Sequence, residues 1–442
     1  MSTLRNRATL AAAAAAVLFF FWFAGDGLRA YFTPDDMMNL YRAWESPLRE
    51  DRIAGALFYN AAWRAFGFEP FGYRVACYVL LAGNLALLYG FALRLARSRF
   101  VAALACLLGA YHAHLADLYY STGTVYDLLC YACWFGAFVW YASIRERGRT
   151  PDARSLVLLL ALYGASLQAK EMAVTLPAFL ALYELLYYGR EKGWRRWSFL
   201  LAAIPLTAAF VAWKFGGRDR MTENPAYAMT FTVETFARNW RHFLNDLFYG
   251  AVNCKPAVLA WFWGLSLALA ALLRRREMIF GWALFFFGSL PVMFLPERGL
   301  YVLYVTLPGF YLYLAALLEA AAPRRMPYRE AALAAALAAA LWAAHRHEKP
   351  LGKQWVAEAF DSIRVLRQQL ARYPDMPKGA SVLFTEDPYP ADDFIVTFIF
   401  RLHYHDPELR VDRIKQTRRI PPRESYRYIF AMRDGRLTEE KP

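Results

Sequence analysis

Two adjacent carboxylates, Asp35 and Asp36, stand in "YFTPDDMMNL", shortly after the first apolar run of the chain. Lys170 and Glu171 sit in "LQAKEMAVTLP", Glu297 and Arg298 in "MFLPERGLYVLY", and His112, His114 and Asp117 in "YHAHLAD", with Asp127 a little further on. Charges placed at corners between apolar segments are costly, so they line a cavity or pair with one another. A positioned carboxylate can take the proton of a hydroxyl nucleophile. Lysine and arginine can neutralise a phosphate leaving group. A donor that is half lipid and half phosphate brings both needs to a bilayer surface, and polyprenyl-phosphate sugars are such donors. On this chemistry Asp35 is the first choice for the base, with Asp36 as its neighbour or a metal ligand. Lys170 and Arg298 would hold the donor phosphate, and a single phosphate neutralised by these two cations needs no metal or other cofactor.

Each group also has a plainer role. Asp35 and Asp36 suit the first turn of a helix beginning near Met37. Lys170 and Glu171 suit an ion pair joining two helices, and Glu297 or Glu171 would serve as a structural partner for Arg298. Asp127 would support Lys170 or Arg298. His112 and His114 could join Asp36 around a divalent cation, although one H-x-H is a sparse signal. Arg238, Arg241 and His242 recur at helical spacing in "ARNWRHFLND", which fits a second phosphate-binding face or a solvated amphipathic helix. Cys130 and Cys133 share one face of an apolar helix with no second pair to complete a metal or redox site, and Cys254 stands apart in a polar loop.

The elements that must position these groups are apolar helices. Of 442 residues, 58% are hydrophobic and 17% aromatic, and the mean hydropathy of +0.20 understates the clustering of the apolar ones. Eleven membrane helices are expected, at about 8–24, 73–93, 100–119, 124–144, 155–169, 172–188, 198–215, 256–273, 278–295, 299–319 and 329–345. The alternative for the first, a cleaved signal peptide, lacks a small-x-small site at the bulky end "VLFFFWFAGDG". With the N-terminus inside, the basic loops 94–99, 145–154, 189–197, 274–277 and 323–329 all fall on one side. The net charge of +14 is therefore topogenic, and no nucleic-acid motif accompanies it. The long loops 25–72 and 216–255, residues 112–123, the corners at Lys170–Glu171 and 296–299, and the tail from about 346 fall on the other side. Residues 51–68 of the first loop form an aromatic amphipathic stretch suited to the interface plane.

A transmembrane domain is expected over 1–345 and a small soluble α/β domain over 346–442. In the latter, "ASVLF" and "YRYIFAM" read as two of about three strands, "DDFIVTFIFRLHYH" as a helix and "RDGR" as a turn. The acidic loop "TEDPYPADD", with Glu386, Asp387, Asp392 and Asp393, follows a strand and fits either a ligand site or solvated helix-terminal charges.

The acidic pair after the first helix resembles the first-loop motif of GT-C glycosyltransferases, the multi-spanning enzymes that include protein O-mannosyltransferases. The TMTC-type O-mannosyltransferases are the nearer likeness. "HAHLADLYYSTGTVYDLL" is similar to their histidine, acid and Asp-Leu-Leu loop. "AKEMAVTLPAFLALYELL" is similar to their Lys-Glu, Thr and Tyr-Glu-Leu series, through Lys170, Glu171, Thr175, Tyr183 and Glu184. "PERGLYVLY" is similar to a later Glu-Arg-x-x-Tyr, through Glu297, Arg298 and Tyr301. The likeness covers about residues 30 to 310. Its histidines stand closer together than the family's, Asp117 is displaced, and residues 346–442 carry no repeat of about 34 residues like the family's C-terminal array.

The resemblance implies a GT-C-like fold and inverting transfer of a sugar from a polyprenyl-phosphate donor to an acceptor, whether protein, lipid or glycan, by single displacement. Asp35 and Asp36 would carry the chemistry. Glu171, Glu297, Tyr301, Asp127, His112, His114 and Arg241 would support the substrate. Competing classes are a transporter or flippase of lipid-linked glycans and a polymerase acting on them; internal repeats and mid-membrane charges would mark the transporter, and the sequence has no convincing repeat. Alanine-, arginine- and leucine-rich usage points to a bacterial inner membrane, with the site facing the periplasm.

Overall fold

The computed structural model describes residues 2–46, 52–191, 193–216, 227–250, 255–322, 328–391, 393–416 and 422–441. Cys254, Asp392 and residues 323–327 of the last basic loop lie outside them. The described chain is mostly helical. In order, the helices are α1 Ser2–Ala24, α2 Pro34–Glu45, α3 Ile53–Phe66, α4 Pro70–Ala96, α5 Arg99–Gly109, α6 Ala116–Tyr120, α7 Val125–Glu146 and α8 Ala153–Ala169. They continue as α9 Leu176–Tyr188, α10 Ser198–Gly216, α11 Val233–Leu247, α12 Pro256–Leu272, α13 Arg276–Gly288, α14 Leu307–Ala321, α15 Arg329–Leu370 and α16 Ile395–His403.

Among the described residues, four helices are long and apolar enough to cross a membrane: Leu10–Arg29, Pro70–Ala96, Val125–Glu146 and Trp194–Lys214. A fifth span arises if α5 and the residues Ala113–Tyr120, bent by 69°, are taken together. This is compatible with a multi-pass membrane protein, but the expected eleven spans are not all present as continuous helices. Three expected spans are shortened where proline takes an early helical position. Residues 171–175 form a 3₁₀ turn before Pro177 opens α9, and Leu300–Leu303 another before Pro308 opens α14. Residues 278–295 end as α13 at Gly288, ahead of a 3₁₀ turn containing Pro291. Proline is tolerated there because the first helical N–H groups have no partner in any case. The helix expected at 329–345 continues to Leu370, so the polar tail begins helical.

The chain divides into two compact units. The first holds residues 1–25, 77–118 and 124–352, and the second holds 26–76, 119–123 and 353–442. The division falls inside α4, α6 and α15, and it places most of the first long loop in the same unit as the tail.

In the first unit α13 and α14 pack at Gly281 and Gly309. A Cβ at Gly281 would lie 2.6 Å from the Gly309 carbonyl oxygen, and one at Gly309 would lie 2.5 Å from that of Gly281. Small residues let two helix backbones approach this closely. Polar contacts join the basic loops at one end of the unit. Arg94 pairs with Glu146 at 3.7 Å, Ser98 donates to Glu319 at 2.7 Å, and Arg275 pairs with the same Glu319 at 2.9 Å. Arg145, 2% exposed, pairs with Glu184 at 2.7 Å and also with Glu191. Four of the loops expected to share a side thus meet at one end.

The second unit is built on a four-stranded sheet of β1 Ser381–Glu386, β2 Arg410–Arg413, β3 Tyr428–Arg433 and β4 Arg436–Glu440, in the order β2-β1-β3-β4. β1 runs parallel to β2 and β3, while β3 and β4 form an antiparallel hairpin. The turn expected at "RDGR" is that hairpin's, with φ of 48° at Asp434 and 72° at Gly435, as a type I′ turn needs. β2 and β4, short and charged, carried too little apolar alternation to be separated in the sequence. Phe384 of β1, Phe400 of α16 and Phe430 of β3 pack together in the core. α2 lies on α16 through Tyr41 stacked on Phe398, ring centres 5.0 Å apart.

Candidate functional site

The first unit contains a cavity of about 200 Å³, lined by Lys170, Glu171, Lys214, Arg298 and Tyr301 among apolar side chains such as Phe210, Met229, Phe231 and Phe294. Each cation comes from the end or corner of a different element. Lys170 follows α8, whose last turn its N–H closes onto Ser166 at 2.9 Å. Lys214 is in the last turn of α10, and Arg298 lies in the connection between α13 and α14. The chain spacing that looked like separate corners is brought into one cavity.

All three cations lie over aromatic faces. Lys170 Nζ is 5.2 Å from the Tyr301 ring centre, Lys214 Nζ is 5.1 Å from that of Trp213, and the Arg298 guanidinium is 4.8 Å from that of Tyr227. Such contacts partly replace lost hydration. Lys170 donates to both oxygens of Asp127, at 2.6 and 2.7 Å, which makes Asp127 the supporting residue expected. Glu171 pairs with Lys214 at 3.4 Å. An apolar-walled space with three cationic side chains at its lining can accept an anionic group carrying a large apolar one.

Lys214 and Tyr227 did not stand out in the sequence. A lysine ending an apolar helix reads as an ordinary interfacial anchor. The signal available was its place, at the same expected side as Lys170 and Arg298.

Other expected site residues lie elsewhere in the first unit. Glu297 is 58% exposed and faces His242 at 3.5 Å. His242 Nε2 donates to the Arg298 carbonyl oxygen at 2.9 Å, so this histidine holds the arginine's loop. Arg241 does not line the cavity, and its Nε is buried without a partner among the described residues. His112 is buried and stacks on Tyr249, ring centres 4.4 Å apart. Its Nδ1 accepts from the His114 N–H at 3.3 Å, which leaves Nε2 to donate to the Leu247 carbonyl at 3.1 Å. Both nitrogens are committed, so His112 is a packing residue here. His114 pairs with Asp246 at 3.2 Å. Glu184 and Tyr183, part of the family likeness, lie toward the opposite end, where Glu184 holds Arg145. Among the described residues no three His, Cys, Asp or Glu side chains gather as a metal site.

The acidic pair belongs to the second unit. Thr33 caps α2, Pro34 opens it, and Asp36 occupies the third helical position, completing a capping box. Asp36 is fully buried and pairs with Arg74 at 3.0 Å, while Asp35 is exposed. One carboxylate is committed inside the protein and the next faces outward. In the tail, Asp387 is likewise committed. It pairs with the fully buried Arg413 at 2.6 Å, which gives the acidic loop a structural role. Arg413 also donates to the carbonyls of Tyr389 and Pro390, both at 2.9 Å.

Comparison with known protein families finds no match, and no curated protein matches the chain.

Proposed function

We propose that this chain is an integral-membrane glycosyltransferase of GT-C type, taking a sugar from a polyprenyl-phosphate donor. The observation that carries the reading is the apolar-walled cavity lined by Lys170, Lys214 and Arg298. A sugar joined to a polyprenyl chain through one phosphate is a phosphodiester with a single negative charge, and its lipid suits the apolar walls.

In the proposed reaction the acceptor hydroxyl gives its proton to a carboxylate base, for which the sequence nominates Asp35. Its oxygen bonds to the anomeric carbon on the face opposite the phosphate. The bond from that carbon to the phosphate oxygen breaks, its electron pair leaves with polyprenyl phosphate, and the anomeric configuration inverts. The cavity cations stabilise the charge that grows on the departing phosphate. A bacterial inner membrane and a periplasmic site belong to the same proposal, supported by the gathering of basic loops at one end of the first unit.

The test uses the purified full chain in lipid nanodiscs with a labelled polyprenyl-phosphate sugar and candidate protein, lipid and glycan acceptors. Sugar transfer with release of polyprenyl phosphate is expected. In liposomes, movement of intact donor between leaflets without turnover would instead mark a flippase. Lys214→Met is expected to raise the donor KM by about tenfold, the loss of one charge-assisted contact. A wild-type KM in that variant would remove the cavity from the donor's path.

A further inference from the structure

Asp36 is hydrogen-bonded on both oxygens. Oδ2 accepts from the Thr33 N–H at 2.9 Å and from Arg74 Nη2 at 3.0 Å, and Oδ1 accepts from the Ser121 hydroxyl at 3.1 Å. The Thr33 hydroxyl accepts from the Asp36 N–H at 3.1 Å and lies 3.0 Å from Ser121 Oγ. Ser121 has one proton, given to Asp36, and its oxygen accepts from the Gly123 N–H at 3.0 Å. The hydroxyl protons can therefore be assigned with each used once. Arg74 binds more than the carboxylate: Nη2 reaches the Tyr31 carbonyl at 2.6 Å and Nε that of Ala30 at 3.4 Å.

This is a poor stability device. Asp36 and Arg74 are 0% and 1% exposed, so both charges are desolvated, and Arg74 Nη1 is buried without a partner among the described residues. Apolar side chains of similar volume would often serve stability as well or better. What the pair does supply is geometry. It joins the backbone at 30–31, the first turn of α2 and the 121–123 segment around one exposed side chain, Asp35. Gly123 closes the arrangement, because a Cβ there would lie 2.9 Å from Asp35 Cβ.

We propose that Arg74 is a positioning residue for Asp35, acting through Asp36 and Ser121, and that the two aspartates divide the work between orientation and reaction. This rests on the transferase reading. Asp36 is fully buried with donors on both oxygens, so an acceptor hydroxyl cannot reach it, whereas Asp35 is exposed and one residue away.

The experiment uses full-length Arg74→Met, Arg74→Lys and Ser121→Ala, each also combined with an Asp35→Cys reporter. The reporter is labelled with a water-soluble maleimide in nanodiscs, independently of any sugar transfer. Arg74→Met is expected to lower kcat by about 100-fold with the donor KM within about twofold, as displacement of a reacting group does. Ser121→Ala should lower kcat by about tenfold, and Arg74→Lys should recover part of the loss. Maleimide labelling of the Cys reporter should change by about fivefold or more in the Arg74→Met and Ser121→Ala backgrounds. Unchanged labelling in folded Arg74→Met and Ser121→Ala proteins overturns the proposal, as does a kcat loss that only tracks the unfolded fraction. If the unsubstituted protein transfers no sugar, the transferase reading fails, while the labelling rates still decide whether Arg74 orients position 35.

Discussion

Adjacent aspartates with identical chemistry differ here because their neighbours differ. Asp36 meets Arg74, 38 residues further along, and is closed off from solvent; Asp35 is exposed. Their substitutions should separate accordingly. Asp35→Asn is expected to abolish transfer with expression and donor binding largely intact, read by turnover and by binding of the labelled donor. Asp36→Asn leaves Arg74 buried against a neutral amide and should cost about 3 kcal/mol of stability, read by denaturant or thermal unfolding of purified protein. Comparable unfolding of the two variants would count against this division. At the cavity, Asp127→Asn removes the carboxylate that holds Lys170 by two hydrogen bonds. A rise in donor KM together with a lower unfolding midpoint is expected there. The pairing of Asp127 with Lys170, and the place of Lys170 and Arg298 at one cavity, follow the sequence's indication of residue type and side. The pairing of Lys214 with Glu171, and of Arg74 with Asp36, was not, because contacts between distant chain segments leave no local periodicity.

Helices in this chain end where backbone chemistry ends them, which is often short of where hydropathy does. Pro177, Pro291 and Pro308 divide apolar runs into 3₁₀ turns and shorter helices, and the Lys170 and Arg298 corners lie beside such breaks. Hydropathy sums side chains and does not register this. The contact of α13 and α14 at Gly281 and Gly309 should be intolerant of bulk: Gly309→Val is expected to destabilise by about 2 kcal/mol through overpacking, seen as a lower unfolding midpoint. In the second unit, burial, with Arg367 and then His405 nearby, lowers the pKa of His403 from its usual value. The folded form therefore takes up this proton less readily than the unfolded chain. The stability it supports is full above about pH 6.5 and declines as pH falls below that value. His403→Gln should flatten that part of a stability-versus-pH curve, while an unchanged slope would remove His403 from the acid response.

Across the whole molecule, two kinds of information separate. Residue order alone was enough for an apolar helical protein with a small α/β tail, for the turn at "RDGR", and for basic loops that share one end. These are read from local composition, period and charge, and burial acts on them one segment at a time. The first long loop falling into one compact unit with the tail was decided only in three dimensions. So were the three cations around one cavity and the unequal fates of Asp35 and Asp36. Each of these depends on which distant segment supplies a partner, and a buried charge is shaped by that partner more than by the residues beside it in the chain.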